Sequence, residues 1–193
     1  MTGAVADLAL GAALGFSLVV PPGPMNAWIA SASARSFRAG FVTGLGAMAA
    51  DAVLGAAVYL LERVVALGSA VRYVYPVGAV VMAYLGVRLL RRSRSEEREL
   101  GDDRRFLRAW LLGLSNPFQV VWWLTAGVAF AYLGGIVLLV GLFGAIAVWV
   151  VAFPLAIHAG TRRRPGVARA VEVGSAAILL GFAVYFGVLF ALG

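Results

Sequence analysis

The sequence contains no cysteine and no lysine, and its single histidine is His158. The missing cysteine excludes disulfide bonds, thiolate metal sites and cysteine nucleophiles. Metal-ligand clusters, a Ser/His/Asp set with suitable spacing and a Walker-type phosphate loop are also missing from the sequence. We therefore expect neither an enzyme nor a cofactor, and no transport driven by ATP within this chain.

Charge is scarce as well. Charged residues make up 13% of the chain, whereas an average globular protein has about 25%. The first 30 residues contain no arginine, so a cleaved signal peptide, which begins with a basic region, is not expected.

Apolar residues are abundant and make up 62% of the 193 residues. A soluble fold of this size could not bury so much apolar surface, so the sequence predicts an integral membrane protein. A helix that spans a bilayer needs roughly 20 residues. Six apolar segments of about this length predict an all-α, polytopic fold with six transmembrane helices; they cover about 8–31, 39–61, 74–90, 106–133, 136–158 and 167–192.

The arginines predict how this bundle is oriented. With both termini outside, 14 of the 16 basic residues fall in cytoplasmic loops and 2 in external ones. The positive-inside rule favours this topology in the inner (plasma) membrane, and it explains the basic excess without nucleic acid. Residues 93–105 form the longest polar stretch, which predicts a mobile cytoplasmic linker or a short surface helix. Its arginines mainly determine topology, although they could also bind anionic lipid headgroups.

The first apolar segment is interrupted by Pro21, Pro22, Gly23 and Pro24. Each proline removes a backbone N–H and crowds the carbonyl one turn earlier, so a continuous helix cannot form here. Within a membrane such a break is tolerated only where it is buried in protein or lines a wet cavity. The sequence therefore predicts a broken first helix.

A second break follows at Asn116-Pro117 in the fourth segment. Pro24 is followed two positions later by Asn26, and Pro117 is followed two positions later by Gln119. Each break lies in the first helix of a three-helix group, and an odd number of helices makes the second group enter from the opposite side. We predict one transporter domain with two inverted repeats, at about 1–92 and 106–193, joined by the linker at 93–105.

Matching breaks in inverted halves point to a substrate site near the membrane midplane. Freed N–H groups could receive a carboxylate and freed carbonyls an ammonium or a cation. The alternative is that the prolines only kink the bundle and that the carboxamides satisfy local backbone groups. Apart from Asp51, the candidate substrate-binding residues are Pro22, Gly23, Pro24, Asn26, Asn116, Pro117, Gln119 and Trp122.

Asp51 is the one acidic residue deep within an apolar segment. It shares a helical face with Gly40, Gly44, Met48 and Gly55, which are spaced three or four residues apart. A helical face made of small residues suits close helix packing. We therefore expect this face, and Asp51 with it, to point into the bundle. A membrane carboxylate is costly and normally functional, so we expect it to take up a coupling proton, bind the substrate ammonium, or do both. The alternative is a structural, helix-capping aspartate.

These motifs resemble the LysE/RhtB family of amino-acid exporters. The resemblance rests on Pro-Pro-Gly-Pro-Met-Asn at 21–26, on the glycine-rich stretch 40–46 leading to Asp51, and on the pattern from Phe106 to Asn116-Pro117. It implies export of amino acids or similar small solutes, driven by the proton gradient. Family members typically carry a lysine after Asn-Pro, whereas this chain has Phe118, so the substrate stays open.

Two other functions remain as alternatives. A divalent metal-cation exporter would need several oxygen ligands, usually including carboxylates, and one membrane aspartate is a poor match. A non-transporting membrane scaffold would need neither matching breaks nor a membrane aspartate. The glycine pairs Gly11/Gly15 and Gly141/Gly144 predict close helix packing within the chain or between copies, so a homo-oligomer is possible. The expected partners are a small-molecule substrate and membrane lipid.

Overall fold

The computed structural model describes residues 2–61, 71–91, 101–124, 135–163 and 165–192. Within these ranges every regular element is a helix, as the apolar segments predict. The helices are α1 (Thr2–Val19), α2 (Pro24–Ser33), α3 (Phe37–Leu61), α4 (Val71–Arg91), α5 (Asp102–Leu114), α6 (Pro117–Trp122), α7 (Ile136–Arg163) and α8 (Pro165–Leu192).

The first helix breaks where the prolines predict. α1 ends at Val19, and α2 begins at Pro24 after a bend of 80°. Gly23 precedes α2 in an extended conformation, and Pro24 occupies the first helical turn, where its missing N–H removes no helical hydrogen bond. The break therefore divides the first segment into two helices that point in different directions.

The second break lies between α5 and α6. α5 ends at Leu114, and the side-chain oxygen of Asn116 accepts a hydrogen bond from the Phe118 N–H at the start of α6. The last part of the predicted fourth segment, 125–133, lies outside the described residues.

The end of the predicted linker is helical. α5 begins at Asp102, before the end of the linker predicted at 93–105, with Asp102 and Asp103 in its first turn. These carboxylates stabilise the positive end of the helix dipole. Linker residues 93–100 lie outside the described part of the chain, as do residues 62–70, which make up most of the predicted loop after the second segment.

Three of the described helices are long and apolar enough to cross a membrane: Phe37–Leu60 in α3, Ile136–Arg162 in α7 and Gly166–Leu192 in α8. The bent pair α1 and α2 makes a fourth if it forms one span. In α4 the apolar stretch, Tyr75–Val87, is shorter. The described residues thus give three or four membrane-capable helices, fewer than the six that the sequence predicts.

Helix packing follows three long pairs, in which α1 lies along α7, α3 along α5, and α4 along α8. Glycines allow the close approach of α1 and α7, since a methyl group on Gly11 or Gly141 would collide with the backbone of the facing helix. Gly144 meets nothing in the described part of the chain, so its packing against a second copy stays a prediction. Gly144 lies on the exposed side of α7. Three residues are slightly less than one helical turn, so Gly144 is rotated away from the buried face that holds Gly141.

Candidate functional site

A cavity lies between the two helix breaks. It encloses about 520 Å³ of space that no atom occupies, its open mouth included. Its walls come from α1, both breaks, α2, α3, α6 and α7. The lining residues are Leu18, Val19, Pro21, Gly23, Pro24, Met25, Asn26, Ile29, Gly44, Ala47, Met48, Asp51, Asn116, Phe118, Gln119, Ile146, Trp149 and Val150.

The side chain of Asn26 makes hydrogen bonds across the first break. Its Nδ2 donates hydrogen bonds to the carbonyl oxygens of Val19 and Pro21, the latter at 3.0 Å. Val19 ends α1 and Pro21 lies in the break, so both carbonyls lack the donors that a continuous helix would supply. The carboxamide therefore satisfies backbone groups that the break has freed, which keeps them from being buried without a partner.

The oxygen of the same carboxamide reaches across to α7. Trp149 Nε1 donates to Asn26 Oδ1 at 3.1 Å, and the Trp149 ring stacks on Phe153 with 4.9 Å between centroids. Because Trp149 is held by this stack, the hydrogen bond ties the break in the first helix to a helix of the second half of the chain.

Asp51 lies deep in α3 and only 3% of it is exposed. Its Oδ1 accepts hydrogen bonds from Gln119 Nε2 at 2.6 Å and from Trp123 Nε1 at 2.9 Å. Among the described hydrogen bonds, none goes to Oδ2. Asp51 thus faces the second break, with one carboxylate oxygen held by two donors.

The rest of this helical face packs as its small residues predict. Gly40 and Gly44 lie against Pro154 and Val150 of α7, and Gly55 lies against the ring of Trp123. The glycines bring α3 close to α7 and to the aromatic side chain that holds Asp51. This close packing excludes lipid from the carboxylate.

Asn116 and Gln119 continue the polar wall along the second break. Asn116 Nδ2 is 3.5 Å from Gln119 Oε1, while Gln119 donates to Asp51 with its other end. Both carboxamides are buried. They form a chain of hydrogen bonds from the start of α6 to the aspartate in α3.

The predicted site residues do not all reach this cavity. Six of them line it: Gly23, Pro24, Asn26, Asp51, Asn116 and Gln119. Pro22 is exposed in the first break, and Pro117 is buried as the first residue of α6. Trp122 is not a lining residue; its ring meets Trp123 edge-on at 5.3 Å, and it is Trp123 that contacts Asp51.

Three further residues lie at this cavity or hold its side chains, although they are not among the candidate substrate-binding residues. Trp149 binds Asn26, Trp123 binds Asp51, and Phe118 forms part of the cavity wall. One signal was present: Trp149 lies almost as far from the start of α7 as Asp51 lies from the start of α3. The predicted repeats would place these two residues at matching positions.

Other polar residues lie away from the cavity. His158 Nδ1 is 3.2 Å from the carbonyl oxygen of Ser33 at the end of α2, and Arg38 pairs with Asp102 at 2.6 Å between Nη2 and Oδ2. In the described part of the chain, no three His, Cys, Asp or Glu residues come close enough together to hold a metal ion.

Comparisons with known proteins agree with this picture. The chain is 29% identical to a protein of Bacillus subtilis (strain 168) named "Putative amino acid efflux protein YcgF", over an alignment that covers 90% of this chain and 91% of the relative. No solved structure matches the chain. The family described as "LysE type translocator" matches residues 16–189. The chain therefore belongs to the LysE type translocator family, as its motifs suggested, and is a membrane transport protein and not an enzyme.

Proposed function

We propose that this protein is a secondary active transporter that exports an amino acid or a related small metabolite and is coupled to the proton gradient. One observation carries the proposal: both helix breaks and the buried Asp51 line the same cavity. Broken helices and a buried carboxylate each cost free energy within a membrane. Binding a substrate in a shared cavity would explain why the protein has both. The name of the Bacillus subtilis relative also points to amino acid efflux.

The packing of the helices supports an inverted repeat with six membrane segments. If α1–α4 and α5–α8 are equivalent halves, α1 corresponds to α5 and α3 to α7. The pair α1 with α7 then corresponds to the pair α5 with α3, and both are among the closest in the molecule. The helices α4 and α8 correspond to each other, so the two-fold relation leaves their pair unchanged. A two-fold relation of this kind is the usual basis of inverted transporter repeats.

Two hydrogen bonds between the halves follow the same relation. Asn26, beside the first break, binds Trp149 in α7, and Gln119, beside the second break, binds Asp51 in α3. Each break is thus held by the second long helix of the opposite half. If the halves rock against each other during transport, these are the contacts that must change.

The cavity offers complementary partners to a zwitterion. The first N–H groups of a helix lack intrahelical acceptors, and in α2 they belong to Met25 and Asn26, because Pro24 has none. Gly23 precedes them without a side-chain cap, so a substrate carboxylate can approach the positive end of the α2 dipole. The substrate ammonium would bind Asp51 Oδ2.

Asp51 can also couple transport to protons. A carboxylate in the membrane interior is stabilised by either a cation or a proton, so the ammonium and the proton would compete for it. We place both termini outside the inner (plasma) membrane, because this orientation leaves most arginines in the cytoplasm. Lipid or a second copy of the chain would cover the exposed apolar faces of α7 and α8.

Counterflow in proteoliposomes tests the proposal. Purified protein is reconstituted with a panel of unlabelled amino acids inside, and entry of the labelled amino acid is measured with and without a pH gradient. We expect exchange of at least one amino acid and net movement when the gradient is imposed. Exchange of divalent cations alone would instead favour a metal exporter, and exchange of no solute a membrane scaffold.

A further inference from the structure

The described lining of the cavity contains one charged side chain. Among the described residues that line it, Asp51 is the single ionisable side chain. The other polar groups are three carboxamides and the indole of Trp149. A substrate ammonium would use the free oxygen of Asp51, which leaves a second cation without a carboxylate. An acidic side chain would find no basic residue and would be repelled by Asp51.

The carboxamides are already engaged. Asn26 uses its nitrogen on two backbone carbonyls and its oxygen on Trp149. Asn116 accepts from the Phe118 N–H, and Gln119 donates to Asp51. A polar substrate side chain would have to break one of these bonds or remain without a partner, and an unpaired buried polar group is costly.

The remaining wall is apolar and ends at Phe118. This side chain lines the cavity and also an outer groove of about 830 Å³, whose other walls are Ile178, Gly181, Phe182 and Tyr185. Phe118 follows Asn116-Pro117 directly and precedes the Gln119 that holds Asp51. It is therefore the partition between the central cavity and an apolar space beside α8.

We propose that the transported solute is an amino acid with an uncharged, apolar side chain, and that Phe118 limits the size of that side chain. This inference rests on the proposed amino-acid export and specifies its substrate class. The ammonium is recognised by Asp51, and the side chain lies against the apolar wall that Phe118 completes. Removing the Phe118 ring joins the cavity to the outer groove and admits bulkier side chains.

The test uses the same proteoliposomes with labelled alanine, leucine, phenylalanine, lysine and glutamate. For the unmodified protein we expect leucine to exchange at least about ten-fold faster than lysine or glutamate, because their charge has no partner in the cavity. In Phe118→Ala the ratio of phenylalanine to alanine exchange should rise about ten-fold. In Phe118→Leu, which removes less volume, the ratio should rise by less.

Phe106→Ala is the matched control, since Phe106 is exposed to a similar degree, 38% against 42%, and lies outside the cavity. It should leave the ratio unchanged. Lysine or glutamate exchange as fast as that of leucine overturns the apolar substrate class. Unchanged ratios in both Phe118 variants overturn the size limit. Either result leaves amino-acid export standing, whereas exchange of no amino acid by the unmodified protein overturns both proposals.

Discussion

At the scale of single residues, the two carboxylate oxygens of Asp51 differ in their contacts. Gln119 and Trp123 both donate to Oδ1, so that oxygen is fixed and the side chain has one orientation. Oδ2 accepts no described hydrogen bond. Oδ1 therefore fixes where the charge lies, and in the proposed function Oδ2 binds the substrate ammonium or the proton.

Asp51→Asn should separate these two roles. The variant keeps an oxygen that can accept from Gln119 and Trp123, so we expect it to fold, but it loses the charge that takes up a proton. Transport driven by a pH gradient should fall to background. Counterflow should fall roughly ten- to a hundred-fold, because a hydrogen bond to a charged group contributes about 1.5–3 kcal/mol.

The measurement is labelled amino-acid movement in proteoliposomes, with the gradient and without it. Asp103→Asn is the control, because Asp103 is an exposed acid at the start of α5, away from the cavity. It should transport normally. Full gradient-driven transport by Asp51→Asn would exclude a coupling role for this carboxylate.

How far the sequence predicts these residues depends on how unusual they are for a membrane segment. Asp51 and Asn26 are polar groups where apolar ones are expected, so the cost of burying them draws attention to them. Trp123 and Trp149 give no such signal, because an indole ring fits an apolar helix and its N–H finds a partner only in three dimensions. The sequence predicted a substrate contact at Trp122, whereas the structure places its neighbour Trp123 against Asp51.

At the scale of helices, the first break depends on one side chain. Asn26→Ala leaves the carbonyl oxygens of Val19 and Pro21 without the donor that Asn26 supplies. Each unsatisfied buried group costs about 1–3 kcal/mol, so we expect a clearly lower melting temperature in detergent.

Trp149→Phe provides the comparison for that variant. It removes the hydrogen bond to Asn26 Oδ1 and part of the indole ring, but it keeps a six-membered ring that can stack on Phe153. The decrease in melting temperature should therefore be smaller. Equal decreases in the two variants would mean that Asn26 stabilises the contact with α7 more than the break itself.

The packing of α1 on α7 offers a second test at this scale. Gly141→Ala places a methyl group against the Leu8 carbonyl, whereas Gly144→Ala meets nothing. Overpacking costs about 1–3 kcal/mol, while alanine is favoured over glycine in a helix by up to about 1 kcal/mol. Thermal unfolding should therefore show Gly141→Ala destabilised and Gly144→Ala unchanged or more stable. Equal effects would contradict the close approach of these helices.

The helices also show where prediction from the sequence ends. Prolines mark both breaks because their chemistry acts locally. The bend of 80° after α1 depends on what α2 packs against, which no local pattern contains. Glycine spacing predicted close packing at both Gly141 and Gly144, and only Gly141 meets a neighbour within the described chain, since spacing alone does not say which side of a helix faces which neighbour.

At the scale of the whole molecule, each half of the chain supplies a hydrogen-bond partner to the helix break of the other half. Each break is held by a helix from the other half, so neither half forms the cavity alone. This mutual dependence is what an inverted repeat requires if one site is to open to either side in turn. The orientation of the halves relative to the membrane then becomes the decisive property, and the arginine distribution predicts it.

The missing cysteines make that orientation directly measurable, because a single introduced cysteine is the only thiol. We expect a membrane-impermeant maleimide to label Thr2→Cys and Ser69→Cys in intact cells, and Ser95→Cys only after the membrane is opened. Thr2 lies before the first membrane segment of the first half, and Ser95 lies before that of the second half. This pattern therefore means that the halves enter from opposite sides. The unmodified chain is the control and should not react. Labelling of both Thr2→Cys and Ser95→Cys in intact cells would rule out the inverted repeat.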